Sequence, residues 1–143
     1  METPGSYTIS TDKSLLDIPL IHDYLSNRSY WAQGRSLPMV RQSIENSLCF
    51  GLYQDGKQAG FARVVTDYTV FAWILDVFVL EAYQGQGLGK MLIQHVRHHP
   101  DLQGVRRWML ATRDAHGLYQ PFGFAALADP AMFMELVNPT PSE

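Results

Sequence analysis

The chain offers a single cysteine, Cys49, so no intramolecular disulfide can form and a reducing compartment is expected. No stretch approaches the ~18 consecutive apolar residues of a membrane span. The opening METPGSYTIS lacks the apolar centre of a secretory leader. Charge is sparse as well: 17% of residues are charged and the net charge is −3. That removes any bulk electrostatic case for a nucleic-acid or membrane partner, and the pair Arg106-Arg107 is too short to restore one. There is no internal repeat and no linker. What remains is an ordinary cytoplasmic globular protein of 143 residues, 46% of them hydrophobic. Its length suits one domain, residues 1–143, with the polar stretch 138–143 as a loose tail.

Period and punctuation set out the elements. Tyr7 to Ser10 reads as a short strand. Leu15, Ile18, Ile21, His22 and Leu25 recur at helical spacing, with Asn27 as the stop. After an aromatic and polar loop, residues 29–37, Ser36 is placed to cap a second helix with Pro38 in its first turn. Val40, Ile44 and Leu48 would form its buried stripe. LCFGLYQDGKQAGFARVV is a hairpin signature around Asp55-Gly56. TVFAWILDVFVL reads as a fourth strand covered on both faces. A helix to about His98, a fifth strand RRWMLAT, a short helix from a cap at Asp114 and a final strand AMFMELV complete the order. The expected class is mixed α/β.

Three glycines, Gly85, Gly87 and Gly89, stand at the mouth of the helix after the fourth strand. Glycine costs a helix roughly 1 kcal/mol against alanine. Here it permits positive φ and lets a ligand approach the backbone. Inward-pointing amides and the positive end of the following helix then make a receptor for phosphate. A dinucleotide fingerprint would need glycine where Lys90 stands. A P-loop would need glycine at 84 and Ser or Thr at 91, where the chain has Gln84 and Met91. The pattern [QR]-x-x-G-x-[GA] fits Gln84-Gly85-Gln86-Gly87-Leu88-Gly89 in full.

With that motif the chain resembles the GCN5-related N-acetyltransferase (GNAT) superfamily. The motif follows an apolar strand and the turn LEAY and opens a helix, as in that family. Further on, DAHGLYQPFGF resembles the family's second signature at Ala115, Tyr119, Gly123 and Phe124. The two signatures span residues 76–124, and the element order matches over nearly the whole chain. The resemblance implies a GNAT-like fold: a mixed, mostly antiparallel sheet of six to seven strands, about four flanking helices, and fourth and fifth strands that splay apart at a bulge. It implies acetyl-CoA as the acyl donor. Its pyrophosphate would meet the backbone amides of about Gln86 to Lys90, and its pantetheine arm the backbone of Val77 and Val79.

The resemblance also assigns the chemistry. Tyr119 takes the place of the acid that protonates the departing thiolate, and a backbone N–H near Phe78 or Val79 would polarise the carbonyl. Asp76 is the one charged residue inside its apolar strand; it could bind a cationic amine, accept its proton through water, or pair with an arginine. Histone-type members carry a glutamate base where this chain has Trp73, which argues against a histone-like mechanism. Tyr30, Trp31, Arg35, Asp67, Tyr68 and Trp73 are the expected acceptor pocket: aromatic walls suit a small organic cation, and Arg35 would suit a carboxylate. Packing or dimer contacts are the other reading of those aromatics. The His98-His99-Pro100 run lacks companions at metal spacing, so no metal is expected. The resemblance therefore points to acetyl transfer onto a primary amine of a small molecule or peptide, by direct attack in a ternary complex, in a monomer or homodimer. A non-catalytic acyl-CoA sensor is the alternative.

Overall fold

The fold is that of a computed structural model, described over residues 6–139. Five strands form one sheet in the order β1 (Tyr7–Ser10), β2 (Leu48–Gln54), β3 (Lys57–Thr66), β4 (Phe71–Val79) and β5 (Arg107–Leu110). Neighbours are antiparallel except β4 and β5, which run parallel. Four α-helices flank it: α1 (Ile18–Asp23), α2 (Leu37–Glu45), α3 (Leu88–His98) and α4 (His116–Tyr119). None of the described helices is long and apolar enough to cross a membrane.

The hairpin turn falls at Asp55-Gly56, both at positive φ, as the sequence requires. Period 2 then divides the side chains between two cores. Phe50, Ala62, Val64, Ala72 and Ile74 face Leu88, Leu92, Ile93 and Val96 of α3. Each large apolar side chain buried there contributes about 1.5–3 kcal/mol. On the opposite face Cys49, Phe61 and Phe78 pack with Ile21 and Leu25 and with Val40 and Ile44 of α2.

Ala72 and Ile74 belong to the first core and Phe78 to the second, although all three positions are even. A bulge explains the change of face. Between Phe61 and Arg63, two steps on β3 are matched by three on β4, from Phe78 to Leu75. The extra residue reverses the parity of everything after it. Asp76 sits in this bulge at φ 54°, a conformation that Asp and Asn tolerate better than most residues. Pairing of β4 with β5 runs only from Phe71–Arg107 to Ile74–Leu110. Beyond it the two strands part.

Several expectations need correction. The first helix begins at Ile18, not near Leu15, because Asp17 Oδ1 accepts the Leu20 N–H (3.1 Å) and Lys13–Leu15 forms a separate 3-10 turn. Leu48 opens β2 rather than extending α2. Asp114 does not cap α4; the residue before the helix is Ala115, whose N–H donates to Thr112 Oγ1. The fourth strand is fully covered only at alternate positions, with half-buried residues between them. Most consequential, the sheet has five strands among the described residues, not six or seven. AMFMELV is not a strand: Pro130–Met132 form a 3-10 turn and residues 133–139 run on without a ladder partner. A strand needs a neighbour for its backbone groups, and apolar alternation alone does not supply one. Of the tail 138–143, the last four residues lie outside the described ones.

Candidate active site

The gap between the parted strands opens into a cavity of about 920 Å³. Leu75 to Val79 form one wall, Leu110 to Ala115 with Leu118 and Tyr119 form the other, and the α1–α2 loop with Tyr30, Trp31 and Arg35 roofs it. Because β4 has no partner on this side beyond Ile74, its backbone there is free to pair with an extended ligand. The Val79 carbonyl is held meanwhile by the Gln84 side-chain amide, 2.8 Å away.

At one end of the cavity lies the glycine loop. Gly85 and Gly87 have φ of 84° and 79°, and a Cβ on either would meet nothing within 4 Å. Positive φ, not space, is therefore what calls for glycine here. Gly87 precedes the first residue of α3, and Met91 N–H donates back to its carbonyl. The N–H groups of Leu88, Gly89 and Lys90 are thus the helix's own unpaired donors, at its positive end. Unpaired backbone donors in that arrangement can receive an anion. The Gln86 side chain is tied outside it by Tyr7 Oη (3.2 Å) and the Tyr83 carbonyl (3.3 Å).

Tyr119 is buried on α4, its ring edge-on to Phe124 at 5.9 Å. Burial, with a smaller contribution from Tyr30, pushes its phenol up to about 12. Its hydroxyl has no hydrogen-bond partner among the described residues, and the ring lines the cavity. The phenol stays protonated throughout the physiological range.

Asp76 is enclosed by donors. Oδ2 receives Arg63 Nε and Arg35 Nη1, both at 2.8 Å, and Oδ1 receives Trp31 Nε1 at 2.9 Å. Its side chain is only 1% exposed. Burial pushes the carboxyl up, but Arg63 and Arg35 together outweigh it and the net shift is downward. Arg63 continues to Ser47 Oγ at 3.1 Å. The bulge thus anchors the roof: Trp31 and Arg35 hang on a carboxylate of β4. The loop is further tied by Ala32 N–H to Ser29 Oγ and by the Ser26 hydroxyl to the Arg35 carbonyl.

Across the opening, the roof touches the second wall. Arg113 N–H donates to Tyr30 Oη at 2.8 Å, and its guanidinium lies 3.8 Å from the Tyr30 ring centroid. Tyr24 stacks on Phe78 at 4.1 Å below.

Of the expected pocket residues, the fold brings Tyr30, Trp31, Arg35 and Trp73 to the cavity and leaves out Asp67 and Tyr68. Asp67 Oδ1 accepts the N–H groups of Thr69, Val70 and Phe71, which hold its carboxyl down at about 2 in the β3–β4 turn. Arg63 and Arg113 were not singled out in the sequence. Arg63 carried a usable signal: like Asp76, it is a charge in the apolar middle of its strand, and two opposite buried charges must find each other.

The parallel strands β4 and β5 thus part beside a bulge, next to a helix N-terminus whose free amides suit an anion. The chain matches the model of the Acetyltransferase (GNAT) family over residues 18–124 and belongs to that family. A crystal structure of a GNAT-family protein from Xanthomonas campestris pv. campestris, provisionally an acetyltransferase, superposes with a TM-score of 0.92. It is 49% identical and 96% of each chain is covered. A protein of Gibberella zeae, also provisionally named an acetyltransferase, is 32% identical over 140 residues, 82% of this chain and 77% of that protein. The [ribosomal protein bS18]-alanine N-acetyltransferase of Escherichia coli is 36% identical over 86 residues, 56% of each protein. Its crystal structure superposes with a TM-score of 0.66 at 28% identity, covering 82% of this chain and 77% of that one. The chain is a GNAT-family acetyltransferase.

Proposed function

We propose that the protein transfers an acetyl group from acetyl-CoA to a primary amine of a small molecule or peptide, by direct attack in a ternary complex. The observation that carries this reading is the parting of β4 from β5 next to the α3 N-terminus, with Tyr119 lining the same cavity. The amides of Leu88, Gly89 and Lys90, with those of Gln86 and Gly87, hold the pyrophosphate. The free side of β4 at Val77 and Val79 holds the pantetheine arm once Gln84 releases the Val79 carbonyl. A backbone N–H at Phe78 or Val79 steadies the negative charge that develops on the carbonyl oxygen. Tyr119 donates its proton to the departing sulfur. A free thiol has a pKa near 8.5. A phenol near 12 is a weak acid for that task, so it acts as a hydrogen-bond donor that completes transfer as the C–S bond breaks.

Asp76 serves this site by position. A carboxylate already holding two guanidiniums and an indole N–H, with its pKa lowered, is a poor acceptor for an amine proton. That proton leaves to water in the open cavity. Asp76 binds Arg35 and Arg63 together, so the cluster of one carboxylate and two guanidiniums keeps one net positive charge beside the pocket, while Tyr30, Trp31 and Trp73 provide an apolar, aromatic surface for the acceptor's body. The relative named for the alanine of ribosomal protein bS18 makes peptide α-amines one class to try.

The test is coenzyme A release from acetyl-CoA with a panel of α-amino peptides, polyamines and amino sugars, alongside the melting temperature with acetyl-CoA, ATP and NAD. A ligand selective for the native state stabilises it by RT ln(1 + [L]/Kd). Acetyl-CoA is expected to raise the melting temperature most, and one amine class to release coenzyme A. Stabilisation by acetyl-CoA with no turnover on any amine would instead make this a sensor of the acyl donor.

A further inference from the structure

The cavity carries more guanidinium than carboxylate. Arg28, Arg35 and Arg113 line it against Asp76 and Asp114. Arg28 is engaged elsewhere, with Asp23 and Glu81, each at 2.8 Å. Asp76 is fully engaged too, and no second carboxylate pairs with Arg35 or Arg63 among the described residues. A positive charge that is largely out of water and lacks a counter-ion is costly. Arg35 gives only Nη1 to Asp76; its Nε and Nη2 have no partner among the described residues, and the side chain borders the cavity. Arg113 is held differently. Its guanidinium lies over the Tyr30 ring and makes no ion pair or side-chain hydrogen bond among the described residues. Stacking uses the face of a guanidinium and leaves its edge of N–H donors open. Tyr30 packs edge-on to Trp31 at 5.1 Å, and Trp31 shares the Asp76 carboxylate with Arg35. The two guanidiniums are thus joined through one aromatic pair, each fixed by the protein and each with donors left over.

We propose that the acceptor is a small amine that also carries a carboxylate, a free amino acid with an apolar side chain, and that Arg35 and Arg113 hold this carboxylate. The proposal rests on the acetyl-transfer reading above and names the class of acceptor within it. A planar carboxylate matches the donor edge of a guanidinium and supplies the charge that the cluster around Asp76 lacks. Tyr30, Trp31 and Trp73 cover the apolar side chain. A polyamine finds no unengaged buried carboxylate here and brings further cations to a cationic site. Asp114, the other carboxylate lining the cavity, is exposed, where water and salt screen it.

Trp31 and Trp73 border the cavity, so their fluorescence reads acceptor binding without turnover. The protein, saturated with coenzyme A, is titrated with phenylalanine, leucine and methionine, each beside its carboxamide and its decarboxylated amine. At least one acid is expected to bind about 10-fold or more tightly than both of its partners, the lower end for a charge-assisted contact. Arg113→Gln alters an exposed side chain and keeps the backbone N–H that holds Tyr30, and thermal unfolding checks that the fold is intact. This variant is expected to lose most of the preference. With acetyl-CoA as donor it should raise KM for the acid and leave kcat within about threefold, as for a contact made equally in ground and transition states. Acids that bind no more tightly than their amines overturn the proposal, and so does a preference that survives Arg113→Gln. Coenzyme A release onto the amines with no preference for the acids overturns this proposal alone. Release onto neither overturns the acetyl-transfer reading with it.

Discussion

Asp76→Asn tests how the bulge governs the site. Asparagine tolerates the left-handed backbone about as well as aspartate, so the change at φ 54° removes the charge and spares the chain path. It leaves Arg63 and Arg35, with side chains 11% and 20% exposed, facing a neutral amide. Removing one partner of a buried ion pair costs about 3–5 kcal/mol. The amide oxygen can still accept from one guanidinium, so the lower value, about 3 kcal/mol, is expected. For a domain of this size, each kcal/mol moves the melting temperature by about 3–5 °C, giving a fall of about 9–15 °C at pH 7. Thermal unfolding followed by circular dichroism reads it directly. The pH dependence carries a sign. The native carboxyl titrates below its ordinary value, so its stabilisation is present above about pH 4 and is lost as pH falls through the lowered native pKa. The gap between the two proteins should narrow on acidification below pH 4. In the assay, freeing Trp31 and Arg35 from their anchor should raise KM for the amine more than it lowers the affinity for acetyl-CoA. A melting temperature within 2 °C of the unaltered protein at pH 7 would refute the argument that this carboxylate holds the roof.

Two further substitutions separate the halves of the site. Tyr119→Phe keeps the ring packed on Phe124 and deletes the donor; kcat should fall about 10²-fold, the lower end for a general acid, with acetyl-CoA affinity unchanged. Because the phenol is held near 12, the ratio of the two rates should stay level from pH 7 to 10, and a loss within threefold would return Tyr119 to a packing role. Gly87→Val forces a β-branched residue to φ 79° at the mouth of α3, costing about 1–2 kcal/mol of backbone strain. Losing one charge-assisted amide contact to pyrophosphate, about 1.5–3 kcal/mol, should weaken acetyl-CoA about 10- to 100-fold by calorimetry; unchanged affinity would remove Gly87 from the cradle.

Much of this protein is local in origin and was therefore legible in one dimension. The turn at Asp55-Gly56, the Ser36 cap and Pro38 of α2, and the positive-φ glycines before α3 are each decided within a few residues by sterics and unpaired amides. The two signatures, 76–89 and 115–124, lie on elements that flank one cavity, and their spacing was enough to recognise the family. Other features depend on what the chain meets at a distance. A lone Asp76 in an apolar strand reads equally as base, amine receptor or ion-pair partner. The choice follows from Arg63, Arg35 and Trp31 arriving from β3 and the α1–α2 loop to occupy its oxygens. Asp67 looked free to bind a substrate until its own turn supplied three N–H donors. The apolar run at 131–137 has the composition of a strand, yet a strand exists only where another backbone lies beside it, and among the described residues that run pairs with no strand. Sequence determined which elements could form and where the positive-φ glycines meet the start of α3. Tertiary structure decided which buried charges are already paired and which edges stay open, because both depend on neighbours that no local pattern encodes.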